Sequence, residues 1–257
     1  MRDAAGPPGA PAVLLLHGWS VDADLNWFAC YRPLAKRHRV VALDQRGHGQ
    51  GIRPGGPVRL SDCADDVAAL LDVLGIERAL IIGYSLGGPV AQLVWRRQHD
   101  RVAGLVLCAT TADFSGGPAG RLWFGSSGAL GRVAAAVPGP ATSIMGRMVG
   151  RRVDPGPFTS WMEQELRRGD PAGLLSAMAS LGRFRSTDWI GEVDVPTACV
   201  ITTRDRTVAP SRQRRLADAI PGATVHEVDG PHNVCATDPK KFLPPFLSAC
   251  ASVTHRL

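Results

Sequence analysis

The stretch Leu80-Ile81-Ile82-Gly83-Tyr84-Ser85-Leu86-Gly87-Gly88 decides how the rest of the 257-residue chain is read. An apolar run stops at a serine flanked by small residues, which is the pattern of a strand, a very tight turn and a helix. Gly83 and Gly87 have a steric reason to be there. A side chain held at the tip of such a turn sits on strained backbone that neighbouring Cβ atoms would obstruct. Ser85 is thereby lifted clear of the sheet, and the helix after it aims unpaired N–H groups and the positive end of its dipole at whatever anion forms beside it. Gly-rich strand-to-helix turns also cradle phosphates. A dinucleotide fingerprint needs G-x-G-x-x-G, however, and position 85 here is Ser; no Gly-Lys-Ser/Thr follows to make a phosphate loop.

Gly83-Tyr84-Ser85-Leu86-Gly87 resembles the nucleophile elbow of the α/β-hydrolase family. The likeness extends over nearly the whole chain outside one insertion. Val13-Leu14-Leu15-Leu16 reads as a buried strand ending at His17-Gly18-Trp19, and Val40-Val41-Ala42-Leu43 runs into Asp44-Gln45-Arg46-Gly47-His48-Gly49, which is similar to the family's D-x-R-G-x-G turn. The resemblance implies that His17-Gly18 shapes a turn and that the backbone N–H groups of Trp19 and Leu86 form an oxyanion hole. His17 and His48 are read as packing residues, and Asp44 and Arg46 as tying down their own loop through local hydrogen bonds.

A serine hydroxyl is a poor nucleophile until a base takes its proton, and an imidazole works best when a carboxylate fixes its tautomer. In the family the order along the chain is Ser, acid, His, each after a strand's carboxyl end. Asp205 follows the strand Thr197–Thr202 in this way, and His232 follows Thr224–Val228. Asp113 and Asp229 are weaker candidates for the acid. Cys235, three residues beyond His232, is weighed as a reactive thiol and set aside. The chain departs from its relatives at Pro231, where many have Gly, and at Pro244-Pro245, expected to kink or break the last helix.

Periodicity and caps supply the helices. Asn26 to Arg37 is expected as the first, with Trp27, Tyr31 and Leu34 on its apolar side. Ser61 is the expected cap of a second, and others are expected near 87–98, 210–219 and 239–251. Between Ala112 and about Ile190 the strands cease. Helical pieces are expected there at 121–136, 142–149, 158–168 and 171–181, the last begun by Asp170-Pro171. Six strands alternating with helices, interrupted once, make an α/β chain with a doubly wound, mainly parallel sheet. The expected division is a core in two parts, 1–111 and 191–257, with a helical lid inserted at 112–190.

Composition narrows the function classes. Apolar residues make up 45% and charged residues 20%, an ordinary globular balance. No apolar run reaches the roughly 18 residues that a membrane span needs, and the start lacks an apolar segment ahead of a cleavage site, so a cytoplasmic location is expected. The net charge of +6 comes almost wholly from arginines scattered in pairs, without a nucleic-acid module. Six widely spaced cysteines contain no C-x-x-C pair, which argues against zinc and redox motifs. Only twelve residues precede Val13, where relatives carry two antiparallel strands. The strand Val40–Leu43 should therefore be covered by residues 1–12, by residues upstream of Met1 or by a second subunit, the last giving a homo-oligomer.

The expectation is a cofactor-independent, metal-free serine hydrolase of an ester, lactone or related acyl bond, with Ser85, His232 and Asp205 as nucleophile, base and acid. The same triad serves carbon–carbon bond hydrolases and cofactor-free haloperoxidases or perhydrolases, and some relatives only bind a ligand. Trp123, Phe124, Met145, Met148, Phe158 and Trp161 are expected to shape an apolar pocket suited to a small, uncharged, hydrophobic ester or lactone.

Overall fold

The computed structural model describes residues 1–136 and 170–257. Seven strands form one sheet: β1 (Arg2–Ala4), β2 (Ala12–Leu16), β3 (Arg39–Leu43), β4 (Ala79–Tyr84), β5 (Val102–Cys108), β6 (Thr197–Thr202) and β7 (Thr224–Val228). Their order is β1-β3-β2-β4-β5-β6-β7, and every pair is parallel except β1 with β3. β4 and β6 are buried at every position, as a sheet covered on both faces requires. Successive residues of β2 serve opposite faces: Leu14 and Leu16 enter one core, Val13 and Leu15 the other.

The first core lies under α3 (Leu60–Val73), α4 (Gly87–Arg97) and α7 (Pro210–Ala219). The second lies under α1 (Ala23–Trp27), α2 (Tyr31–Ala35), the short α8 (Val234–Thr237) and the long α9 (Pro239–Thr254). Between β5 and β6 the described residues contain helices α5 (Pro118–Ala136) and α6 (Pro171–Arg183) but no named strand. The pieces expected at 142–149 and 158–168 lie outside the described residues. Asp170 caps α6 as expected, its carboxylate accepting from the Ala172 and Gly173 N–H groups.

β1 pairs with β3 through Arg2 opposite Ala42 and Ala4 opposite Val40. Residues from the front of the chain thus cover the edge that would otherwise be open. Chain order runs β2, β3, then back across β2 to β4, so the sheet changes winding direction between β2 and β4. In open α/β sheets the crevice at the strands' carboxyl ends beside such a reversal is the usual ligand site.

Three helix expectations need correction. The helix expected over 26–37 is two short ones. Asp22 starts α1 early by accepting the Leu25 N–H at 2.7 Å, and Pro33, lacking an N–H, cannot bond the Ala29 carbonyl to carry a helix through the join. Ser61 does not cap α3. The Val58 and Leu60 N–H groups instead donate to the hydroxyls of Ser176 and Ser180 on α6, more than a hundred residues away. Pro244 and Pro245 do not interrupt α9. The carbonyls they leave without donors, those of Lys240 and Lys241, are on exposed residues that water can serve, and Phe242, Phe246, Ala249, Cys250 and Val253 anchor the helix in the second core.

Phe242 and Phe246 stack with centroids 5.0 Å apart, and Trp27 closes on Phe246 at 5.6 Å. Phe246→Ala should lower the unfolding free energy by about 3–5 kcal/mol. Val73→Ala, at a position 83% exposed, should change it by no more than about 0.5 kcal/mol. Urea titrations of both variants check this contrast.

Candidate active site

Ser85 follows the last residue of β4, and α4 begins two residues later. Its φ is +50°, in the left-handed region that a residue with a Cβ normally avoids. The surroundings over-determine that conformation. The Ser85 N–H donates to the Cys108 carbonyl at 2.9 Å, and the Ser85 carbonyl accepts from the Gly88 N–H at 2.9 Å and the Thr110 hydroxyl at 2.8 Å. A Cβ at Gly83 would overlap the Gly87 carbonyl, one at Gly87 the Leu16 carbonyl, and one at Gly88 the Thr110 side chain. The three glycines are there because β2, α4 and Thr110 pass too closely for anything larger.

His232 and Asp205 arrive from the loops after β7 and β6. The His232 Nε2 lies 2.9 Å from the Ser85 Oγ, and its Nδ1 lies 2.6 Å from the Asp205 Oδ2. A carboxylate facing Nδ1 places the proton there and leaves Nε2 to accept from the serine hydroxyl. Asp205 Oδ1 accepts from the Thr207 and Val208 N–H groups at 2.7 and 2.8 Å, and Oδ2 from the Thr202 hydroxyl at 2.7 Å. Burial by itself raises the Asp205 pKa. The hydrogen bond and charge of His232, with the Val208 and Thr202 donors, outweigh burial and hold it below the usual carboxylate value. Asp113 is turned to Ser115 and Gly116, and Asp229 pairs in the open with Arg204. Neither competes for His232.

The loop after β2 runs alongside. A Cβ on Gly18 would lie 3.5 Å from the Ser85 Cβ, so this loop passes directly beside the serine. The Gly18 N–H donates to the Asn26 Oδ1 at 2.9 Å, and the Trp19 indole donates to the Leu174 carbonyl on α6 at 2.8 Å. Among the described residues, no acceptor takes the backbone N–H of Trp19 or of Leu86. These are the two amides expected to face an oxyanion.

His17 and His48 are packing residues. His17 donates from Nδ1 to the Gly18 carbonyl and accepts the Gln45 N–H on Nε2. Its ring lies 5.1 Å from that of His48. Burial, reinforced by the nearby His17, pushes the His48 pKa down to about 3. Asp44 binds the Ala23 and Gln50 N–H groups. Arg46 reaches away from its own turn to Asp66 on α3, and the partner that joins Asp44 in tying the loop is Arg53, which donates to the His48, Gly49 and Gly51 carbonyls. Cys235 is buried, its pKa pushed up to about 12 by desolvation, and accepts weakly from the Asn26 amide at 3.7 Å.

Of the residues expected to line a pocket, Phe124 packs against Gly182 of α6 and the first core. Trp123 is 60% exposed, edge-on to Phe124 at 4.9 Å. Met145, Met148, Phe158 and Trp161 lie outside the described residues. Sequence reading overlooked Asn26, Tyr84, Thr110 and Thr202. Tyr84 stands directly before the serine, but nothing local signals that its hydroxyl donates to the His232 carbonyl at 2.7 Å. Thr202 ends a strand three residues before the acid, and a hydroxyl in that place is the only available sign of its role.

Residues 11–144 match the sequence model of a family described as alpha/beta hydrolase fold. The non-heme chloroperoxidase of Streptomyces lividans is 28% identical over 95% of this chain and 92% of its own length. The solved enol-lactonase of Burkholderia xenovorans LB400 is 25% identical with a TM-score of 0.81, covering 97% of this chain and 95% of that one. A thermophilic esterase of Thermogutta terrifontis is 26% identical with a TM-score of 0.81, over 98% and 92%.

The buried histidines make stability depend on pH. A histidine whose folded pKa is depressed from 6.5 to about 3 binds a proton in the unfolded chain first. Its contribution is therefore complete above the unfolded value and is lost as pH falls below 6.5. The slope expected for His48 is about 1.4 kcal/mol per pH unit. Denaturant titrations between pH 7 and 5 should show this decline, and His48→Gln should remove that part of it.

Proposed function

The chain belongs to the α/β-hydrolase family, and from that premise we propose that it is a serine hydrolase cleaving a carboxylic ester or lactone through an acyl-enzyme. The observation that carries the proposal is the hydrogen-bonded series Ser85–His232–Asp205, with contacts of 2.9 and 2.6 Å. Ser85 attacks the substrate carbonyl as its proton passes to the His232 Nε2, and Asp205 steadies the imidazolium. The Trp19 and Leu86 N–H groups, with the positive end of α4 behind Leu86, receive the oxyanion. His232 returns its proton to the departing alcohol. It then deprotonates a water that releases the acid and frees Ser85.

Residues 112–190 are read as a lid over this site. In support, the Trp19 indole bonds to α6 inside that segment. We assign a small, uncharged, hydrophobic substrate, since the charged residues described on α5, Arg121 and Arg132, are exposed. All six cysteines are free and buried, which suits a cytoplasmic setting. No helix among the described residues is long and apolar enough to cross a membrane. A second reading, perhydrolysis of the same acyl-enzyme by a peroxide in place of water, is favoured by the end-to-end similarity to the chloroperoxidase. Comparing acid and peracid release from one ester with and without hydrogen peroxide separates the two.

Ser85→Ala and His232→Ala should each lower kcat by about 10⁴-fold or more, and Asp205→Asn by a similar or smaller factor; the Ser85→Ala/His232→Ala pair should lose little beyond either alone. A fluorophosphonate should label the wild type and not Ser85→Ala. Undiminished turnover by Ser85→Ala would end the acyl-enzyme proposal. Across an acyl-chain series, kcat/KM should favour uncharged aliphatic esters and lactones over anionic analogues of equal length.

A further inference from the structure

Gln213 stands on α7, eight positions beyond Asp205, and is 2% exposed. Its carbonyl oxygen accepts the Thr202 N–H at 3.0 Å, and its amide nitrogen donates to the Val208 carbonyl at 2.7 Å. A backbone N–H only donates and a carbonyl only accepts, so these two bonds leave the amide a single orientation. The remaining amide hydrogen points at the Asp205 Oδ2, 3.0 Å away, and at the Thr202 hydroxyl, 2.9 Å away, which itself donates to that same oxygen. One side chain therefore grips the end of β6, the loop carrying the acid and the acid itself.

We propose that Gln213 is a positioning residue that fixes the Asp205 carboxylate toward His232 and weakens its pull on the imidazolium, so setting the pH at which the site becomes active. This rests on the Ser85–His232–Asp205 reading above. A donor to a carboxylate spreads its charge and lowers its basicity. Oδ2 is the oxygen that His232 uses, so the bond from Gln213 competes directly with the imidazole. The other titratable groups near His232 leave this control to Asp205. The Tyr84 ring lies 6.0 Å away and its hydroxyl is held neutral by burial. The Cys235 thiol is neutral for the same reason, and Arg204 and Asp229 neutralise each other at the exposed edge of the loop.

The test is the pH profile of kcat/KM for 4-nitrophenyl butyrate, with active sites counted by fluorophosphonate. Gln213→Met keeps the bulk and removes the donor. The acid limb should move up by about 0.5 to 1 pH unit, with kcat down about 10- to 100-fold and KM little changed. A folded Gln213→Met with an unmoved limb overturns the proposal while leaving the triad reading intact. A wild type that fluorophosphonate does not label overturns the triad reading and this one with it. Should Gln213→Met fail to fold, Gln213→Ala, which admits water to the Thr202 N–H and Val208 carbonyl, is read in the same way. Failure of both to fold assigns Gln213 to structure alone and overturns the proposal.

Discussion

Ser85 is held at a φ of +50°, and the rest of the molecule is arranged to keep it there. Such a conformation costs about 1–3 kcal/mol and survives only where the surroundings leave no alternative. The Cys108 carbonyl and the Thr110 hydroxyl fix the serine's own peptide groups from β5 and the turn after it. The close approach of β2 to the start of α4 then removes the space into which the turn would relax. The stability of the central strands is in this sense spent on one backbone angle, and what it secures is a hydroxyl standing clear of the sheet.

The sheet's winding explains why other groups converge on that hydroxyl. The strand order reverses between β2 and β4, and open α/β sheets hold their ligands at the carboxyl edge beside such a reversal. The loop after β2 brings the Trp19 amide, the turn after β4 brings Ser85 and the Leu86 amide, and the more distant β6 and β7 send Asp205 and His232 to the same edge. Buried polar side chains link these loops to one another. Asn26 joins the Gly18 amide to Cys235, and Tyr84 joins the base of the elbow to the backbone of His232. Each of these bonds joins residues of different elements, and β6 and β7, the strands before Asp205 and His232, are themselves paired in parallel, so the loops keep their spacing.

Electrostatics divides the polar residues by role. Asp205 keeps its charge in a buried place because five donors from His232, Thr202, Thr207, Val208 and Gln213 meet its two oxygens. His48 meets the opposite treatment, with burial and a neighbouring histidine keeping it neutral.

The sequence by itself determined the strand order of chemistry. Short apolar runs at Val13–Leu16, Leu80–Ile82 and Ala198–Ile201, rich in branched residues and bounded by turn signals, fit strands covered on both faces, and the glycines around Ser85 announce a turn with no room for side chains. The positions of Asp205 and His232 after later strands follow from the same rhythm, because parallel strands deliver every such loop to one edge. What only the tertiary structure decided is whatever depends on partners distant in the chain. The start of α3 is set by serines on α6, Arg46 pairs with α3 rather than its own turn, α9 runs through two prolines because its apolar face is buried, and Gln213 meets Asp205 across a loop and a helix turn. Local sequence records steric and hydrophobic demands that a residue makes on its neighbours. It does not record which buried hydrogen-bond donor will satisfy which acceptor, since that pairing exists only once the chain has packed.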